Sequence, residues 1–164
     1  MKVTVVKEGL CSGPWPLYFG YCDPKGDERE EVVVAGNGPV SWTGLGDLGL
    51  GTALVVAEGS ARYVGRTFYL AGGETHSLED VAGMVSKARG KGVRLKVVRR
   101  EEYCPFYEEE MGRDKEEVKW WSSTCASLTN GDCMIEDRTL EELLKGRRVR
   151  LKGFEETVKE MLGA

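Results

Sequence analysis

Thr67-Phe-Tyr-Leu-Ala-Gly-Gly-Glu-Thr-His-Ser-Leu-Glu-Asp-Val-Ala82 carries a strand, a turn and the opening of a helix in one short run. The β-formers Thr67, Phe68 and Tyr69 place a strand over Arg66 to Ala71. Gly72-Gly73 interrupts it. Ser77 and Asp80 then have the spacing of a capping box, in which each side chain satisfies a free backbone N–H of the other. Leu78, Val81, Ala82, Val85 and Ala88 follow the helical period, and Gly90 is placed to end the helix. Val93 to Val98 alternates as a further strand. Strand, helix and strand in this order indicate an α/β arrangement.

Towards the N-terminus, Val3 to Val6 reads as a short buried strand. Gly9 to Tyr21 is broken by Pro14 and Pro16, which forbids a long helix, yet it is too aromatic for a solvated linker. Asp23 to Glu31 reads as a surface loop, and Glu31 to Ala35 as a second strand. Asn37-Gly38 is a turn signal that predicts a hairpin with Val40 to Thr43. Leu48 to Glu58 reads as a helix with Leu48, Thr52, Val55 and Val56 on one side. Beyond Val98 the chain is helical and more polar. Asp114 and Glu117 form a second possible capping box, before Val118, Trp121 and Cys125, and Asn130-Gly131 closes that helix. Thr139 and Glu142 are expected to cap a short helix bearing Leu140, Leu143 and Leu144. A last helix runs from Phe154 to Leu162. The pattern predicts one α/β domain over residues 1–164: a small mixed sheet, flanking helices and a helical C-terminal tail.

The length of 164 residues and the hydrophobic fraction of 41% suit a chain with a real core and argue against disorder. The formal net charge of −4, with both signs interspersed, argues against a nucleic-acid-binding face. The basic run Lys145-Gly-Arg-Arg-Val-Arg-Leu-Lys152 is short and reads as a solvated loop. No apolar stretch approaches a membrane span and the N-terminal apolar segment is too short for a secretory signal, so a cytoplasmic location is expected. Cys11, Cys22, Cys104, Cys125 and Cys133 lack CxxC spacing and read as reduced thiols. A single His76 further limits metal chemistry, and no metal site is expected.

Gly44-Leu-Gly46-Asp-Leu-Gly49 matches G-x-G-x-x-G. In a dinucleotide-binding fold these glycines let backbone N–H groups approach a pyrophosphate at a helix N-terminus. Three features oppose that reading here. The preceding Val40-Ser-Trp-Thr43 is short and mixed, Glu74 lies too far along for a ribose-binding acid, and Asp47 would repel a pyrophosphate. The segment reads instead as a helix-capping loop.

Several segments, taken in order, resemble NmrA-like atypical short-chain dehydrogenases. Val40 to Gly49 looks like their tryptophan–aspartate segment. Thr67 to Ala82 resembles their last sheet strand and its following helix, and Val93 to Tyr103 the strand and Glu-Glu-Tyr after it. Thr4-Val-Val-Lys-Glu-Gly9 looks like the strand that opens their C-terminal half, and Trp120-Trp-Ser-Ser-Thr124 to Leu140-Glu-Glu-Leu-Leu144 their tail. Pro105 departs from the pattern, because it would disturb a helix there. The resemblance implies a Rossmann-derived, truncated NmrA-like domain: the substrate-binding half, without the N-terminal half that holds NAD(P). It therefore implies no cofactor held by this chain.

In relatives the substrate cleft lies beside the segment after the opening strand. The resemblance thus makes Trp15, Tyr18, Phe19 and Tyr21 candidate walls for a hydrophobic substrate, with Trp42, Tyr107 and Trp120 as further aromatics. Plain core packing is the competing reading for each. His76, Tyr18 and Lys7 are the candidate acid–base groups: His76 as the one imidazole, Lys7 beside Glu8 at the end of the opening strand. The competing readings are an exposed residue before a helix cap for His76 and a solvated ion pair for Lys7 and Glu8. The expected activity is a cofactor-independent isomerase, cyclase or dehydratase of specialised metabolism. Alternatives are a non-catalytic ligand-binding regulator, a subunit of a split protein, or a reductase using the Gly44 loop. A cut sheet exposes an edge, so a homodimer or a partner protein is expected to cover it.

Overall fold

A computed structural model describes residues 2–57 and 62–164. Among these the chain runs β1 (Val5–Glu8), α1 (Trp15–Tyr18), β2 (Glu31–Val34), α2 (Leu45–Ala57), β3 (Thr67–Leu70) and α3 (Leu78–Arg89). It continues through β4 (Arg94–Val97), α4 (Arg100–Pro105), a π-helical turn (Phe106–Glu110), α5 (Lys115–Thr129), α6 (Thr139–Gly146) and α7 (Phe154–Leu162). The end expected for α2, Glu58, lies outside the described residues.

Where a small mixed sheet was expected, the described strands form two parallel pairs. β1 lies beside β3, with Val5 opposite Thr67 and Glu8 opposite Leu70. β2 lies beside β4, with Glu31 opposite Arg94 and Val34 opposite Val97. Parallel pairing demands long crossovers, and here the crossovers interleave: β2 falls between β1 and β3 in the chain, and β3 between β2 and β4.

The expected hairpin is absent because its turn residues serve other ends. Asn37 Oδ1 accepts the Leu78 N–H at 2.9 Å, helping to start α3. A Cβ on Gly38 would stand 1.9 Å from the Leu128 carbonyl oxygen, so only glycine lets this segment lie on α5. Val40 makes an antiparallel bridge to His76, and Thr43 a parallel bridge to Cys11. Thr43, buried, receives the Gly72 N–H at 2.7 Å and donates to the Ser41 carbonyl at 3.0 Å.

β1 is displaced towards Glu8 from the expected position and is not buried: Val3 and Val5 are 58% and 42% exposed. The cause is one-sided pairing. Val5 and Gly9 donate to the Arg66 and Leu70 carbonyls of the β3 side at 2.9 and 2.8 Å. The strand's alternation turns the N–H groups of Val6 and Glu8 to the opposite edge, where no described strand lies. The outer edge of β3 differs. There Asp137 Oδ2 accepts the Tyr69 N–H at 2.8 Å while Oδ1 accepts the Thr139 N–H at 2.9 Å. One carboxylate thus caps β3 and starts α6, a role expected of Thr139 and Glu142. Thr139 is instead the first residue of α6.

Ser77 and Asp80 form the expected reciprocal box at α3, and Gly90 ends that helix at φ 66°. At α5 only Asp114 acts as a cap, accepting the Glu117 N–H at 2.9 Å. α7 occupies the expected Phe154–Leu162. α4 ends at Pro105, but the chain does not unwind there. The chain passes into a π-helical turn, with the Met111 N–H reaching the Phe106 carbonyl at 3.1 Å. On α2 the buried residues are Leu48, Gly51 and Val55, while Val56 is 76% exposed. The drift of the 3.6 period carries position 56 off the stripe. Gly51 lets α6 approach: a Cβ there would meet Leu140 Cδ1 at 2.4 Å.

Three groups of buried side chains hold these elements together. The largest joins α1, β2, α3, α5 and α7 through residues such as Trp15, Val34, Leu78, Leu128 and Val158. A second joins α2, β3 and α6 through Leu48, Leu70 and Leu144. A third joins Tyr21, Tyr103 and Tyr107 to Val33 and Val118. Each large apolar side chain fully withdrawn from water contributes roughly 1.5–3 kcal/mol. No described helix is long and apolar enough to cross a membrane.

Candidate functional site

The aromatic segment after β1 packs inward. Pro14 and Pro16 set up the single turn of α1, which turns Trp15, Tyr18 and Phe19 into the largest core. Trp15 and Phe19 are fully buried, and Tyr21 is 5% exposed. Tyr18 packs edge-on against Trp42 and Trp121, at 5.8 and 5.2 Å between centroids. Burial raises the Tyr18 phenol above its ordinary pKa, and Tyr21 is pushed up to about 12 by the same cause. Both shifts oppose proton exchange at neutral pH. Tyr107 is also buried and donates to the Val33 carbonyl at 2.8 Å. These side chains are packed as core, where the resemblance placed a cleft wall. Trp120, in contrast, is 61% exposed on α5, edge-on to Trp121 at 4.7 Å.

Lys7 and Glu8 point apart, as neighbours on a strand must. Lys7 Nζ lies 3.3 Å from the Tyr69 hydroxyl and 5.1 Å from its ring centre, and Glu8 accepts the Thr52 hydroxyl at 3.0 Å. The expected ion pair between them does not form. His76 sits where the chain leaves β3 for α3. Its carbonyl receives Trp42 Nε1–H at 2.9 Å, and its ring stacks on Phe154 at 5.6 Å. His76 Nε2 has no hydrogen-bond partner and stands 3.7 Å from the Glu74 carboxylate.

Beside this imidazole opens a cleft of about 700 Å³. The Gly72–Glu74 turn that follows β3 forms one side, and the connection from Lys145 to Gly153 forms the other. Trp42 and Phe154, stacked at 4.8 Å and 10°, reach its wall from the core, and Val149 and Leu151 add apolar surface. Arg138, Lys145, Arg148, Arg150 and Lys152 line it, against two carboxylates, Glu74 and Glu141. The basic run expected to be a solvated loop is therefore one wall of a cleft. The signal lay in that run, but the return of Arg138 and Gly72–Glu74 against it depends on tertiary folding. Of the expected site residues, Trp42 lines the cleft and His76 borders it.

The Gly44 segment does not form a phosphate cradle. Gly46 and Gly49 lie inside α2, not in a loop before it. The Gly44 carbonyl accepts the Leu48 N–H at 3.0 Å. Asp47 sits over this first turn: its carboxylate accepts the Lys152 N–H at 2.8 Å and would lie 2.8 Å from a Cβ on Gly44. A carboxylate already occupies the place an anion would take, so these residues do not fit a dinucleotide diphosphate. Among the described residues no cluster of three or more His, Cys, Asp or Glu side chains is arranged to hold a metal, and the five cysteines are free thiols.

No protein-family model matches this chain, and no curated protein matches it in sequence. Solved structures do match. The Citrobacter sp. triphenylmethane reductase complexed with NADP(H) is 21% identical with a TM-score of 0.79, over 98% of this chain and 54% of that one. The NADPH-dependent quinone oxidoreductase of Escherichia coli is 18% identical with a TM-score of 0.77, over 93% and 52%. A nucleoside-diphosphate-sugar epimerase from Staphylococcus aureus is 16% identical with a TM-score of 0.73, over 97% and 52%. The expectation of a cofactor-free isomerase, cyclase or dehydratase is corrected by these likenesses, since two of the three proteins are named as NADPH- or NADP(H)-linked reductases. The chain spans about half the length of the structures it matches and shares their α/β fold.

Proposed function

We propose that this chain forms the substrate-side portion of a reductase-type enzyme that draws hydride from NADPH held outside the Gly44 segment. The observation that carries the reading is the shared fold: nearly all of this chain corresponds to about half of an NADPH-dependent quinone oxidoreductase and of a triphenylmethane reductase. Two features of the chain support it. The cleft lies where the chain leaves the C-terminal end of β3, the end at which open α/β sheets gather their ligands. The free edge of β1 offers unpaired backbone groups to a further strand. In this reading the dinucleotide-holding part of the enzyme lies along β1.

The test is NADPH consumption by the protein isolated from its own cells, with any associated polypeptide retained. Quinones and triphenylmethane dyes serve as trial acceptors. Acceptor-dependent NADPH oxidation is expected. Preparations that neither bind NADPH nor consume it with any acceptor overturn the proposal.

A further inference from the structure

The whole sequence carries a formal charge of −4, yet the described residues lining the cleft include five cations and two carboxylates. A cleft of one sign on a molecule of the other focuses its field on incoming ions of opposite charge. Two of the cations are already engaged: Arg150 with Glu156 at 2.9 Å, and Lys152 with Glu160. Among the described residues, the side chains of Arg138, Lys145 and Arg148 make no ion pair or hydrogen bond, in contrast to the side chains of Arg150 and Lys152.

Cations at the end of a helix often serve its dipole, and Lys145 and Arg148 follow α6. That account fails for Arg138. It stands at the start of α6, where the dipole disfavours positive charge. Arg148 carries a second mark. Its φ is 58°, a left-handed conformation that a helix end ordinarily gives to glycine. Its N–H reaches the Lys145 carbonyl at 3.0 Å and the Val149 N–H reaches that of Leu144 at 3.0 Å, so the strained turn is part of the helix end. Arginine at this place is a local cost to folding, and such costs gather at binding sites.

We propose that the cleft binds a small molecule with a flat apolar body and an anionic group, a carboxylate, sulfonate or phosphate. The body lies against Val149 and Leu151, with the edges of Trp42 and Phe154 behind them, and the anion among Arg138, Lys145 and Arg148. The inference rests on the reductase reading only in taking this molecule to be the substrate.

The test is a calorimetric titration, without NADPH, of anthraquinone-2-sulfonate against the uncharged 2-hydroxymethylanthraquinone. The sulfonate is expected to bind about tenfold more tightly, with the preference falling as salt rises. Arg148→Gly relieves the left-handed strain, so it is expected to fold at least as well as the parent while losing most of that preference; Arg138→Gln is expected to lose it too. Equal affinity for the two quinones, or an undiminished preference in both variants, overturns the proposal. Sulfonate binding by preparations that neither bind NADPH nor consume it with any acceptor leaves this site standing and removes the reductase reading. Turnover without charge preference does the reverse.

Discussion

At the scale of single residues, two polar groups carry unusual weight. Asp27 is nearly buried beside Arg29, whose guanidinium also reaches the Gly20 carbonyl at 2.9 Å. Burial alone would raise the Asp27 pKa, but hydrogen bonds and charge from Arg29 outweigh it and hold the carboxyl at about 2. Because the folded value lies below the unfolded one, this contribution is complete above about pH 4 and is lost as pH falls towards 2. Acid titration followed by circular dichroism checks this: Asp27→Asn is expected to lower stability at neutral pH by about 1–3 kcal/mol and to flatten the acid limb. Thr43 is the second group. Thr43→Val keeps the shape but leaves the buried Gly72 N–H unpaired, which is expected to cost about 1–3 kcal/mol in urea unfolding. The role of Thr43 was not legible in the sequence, since folding alone brings Gly72 near; Arg29 lies two residues from Asp27, and only its reach to the Gly20 carbonyl depends on the fold.

Among the elements, what could be read in advance was what local chemistry decides. The stretch from Thr67 to Arg89 behaves as its β-formers and its Ser77–Asp80 box dictate. Ser77→Ala is expected to lower stability by about 1 kcal/mol, measurable as a fall in Tm. Asn37-Gly38 misled because the same residues that favour a tight turn also suit a cap and a close approach, and here they cap α3 and lie on α5. The aromatics from Trp15 to Tyr21 follow the competing core-packing reading, because Pro14 and Pro16 shape the single turn that turns them inward. The glycines of α2 give a decisive check. A side chain on Gly46 or Gly49 would meet open space, so alanine there is expected to raise stability by about 0.5–1 kcal/mol each and leave NADPH-dependent activity intact. A loss of NADPH affinity in either variant would return the Gly44 segment to the role of a dinucleotide seat.

For the molecule as a whole, the sheet edges are treated unequally. β4 is short and carries Arg94 and Lys96, which discourage pairing with another chain. Tyr107 covers the Val33 carbonyl of β2. β1 is left open, with Val3 and Val5 exposed beside it. Val5→Lys is expected to weaken association along this strand, read as a drop in mass by light scattering at micromolar concentration. An unchanged mass would exclude β1 as a contact. The carboxylate of Asp137 decides how far such association runs. With Tyr69 already engaged by that carboxylate, the β1–β3 ribbon can be extended on one flank alone. Two copies that met there would close on each other about a twofold axis, leaving no second flank for a third. If copies do associate along β1, Asp137→Ala frees the Tyr69 N–H on the second flank, and the mass by light scattering is expected to rise beyond that of a pair.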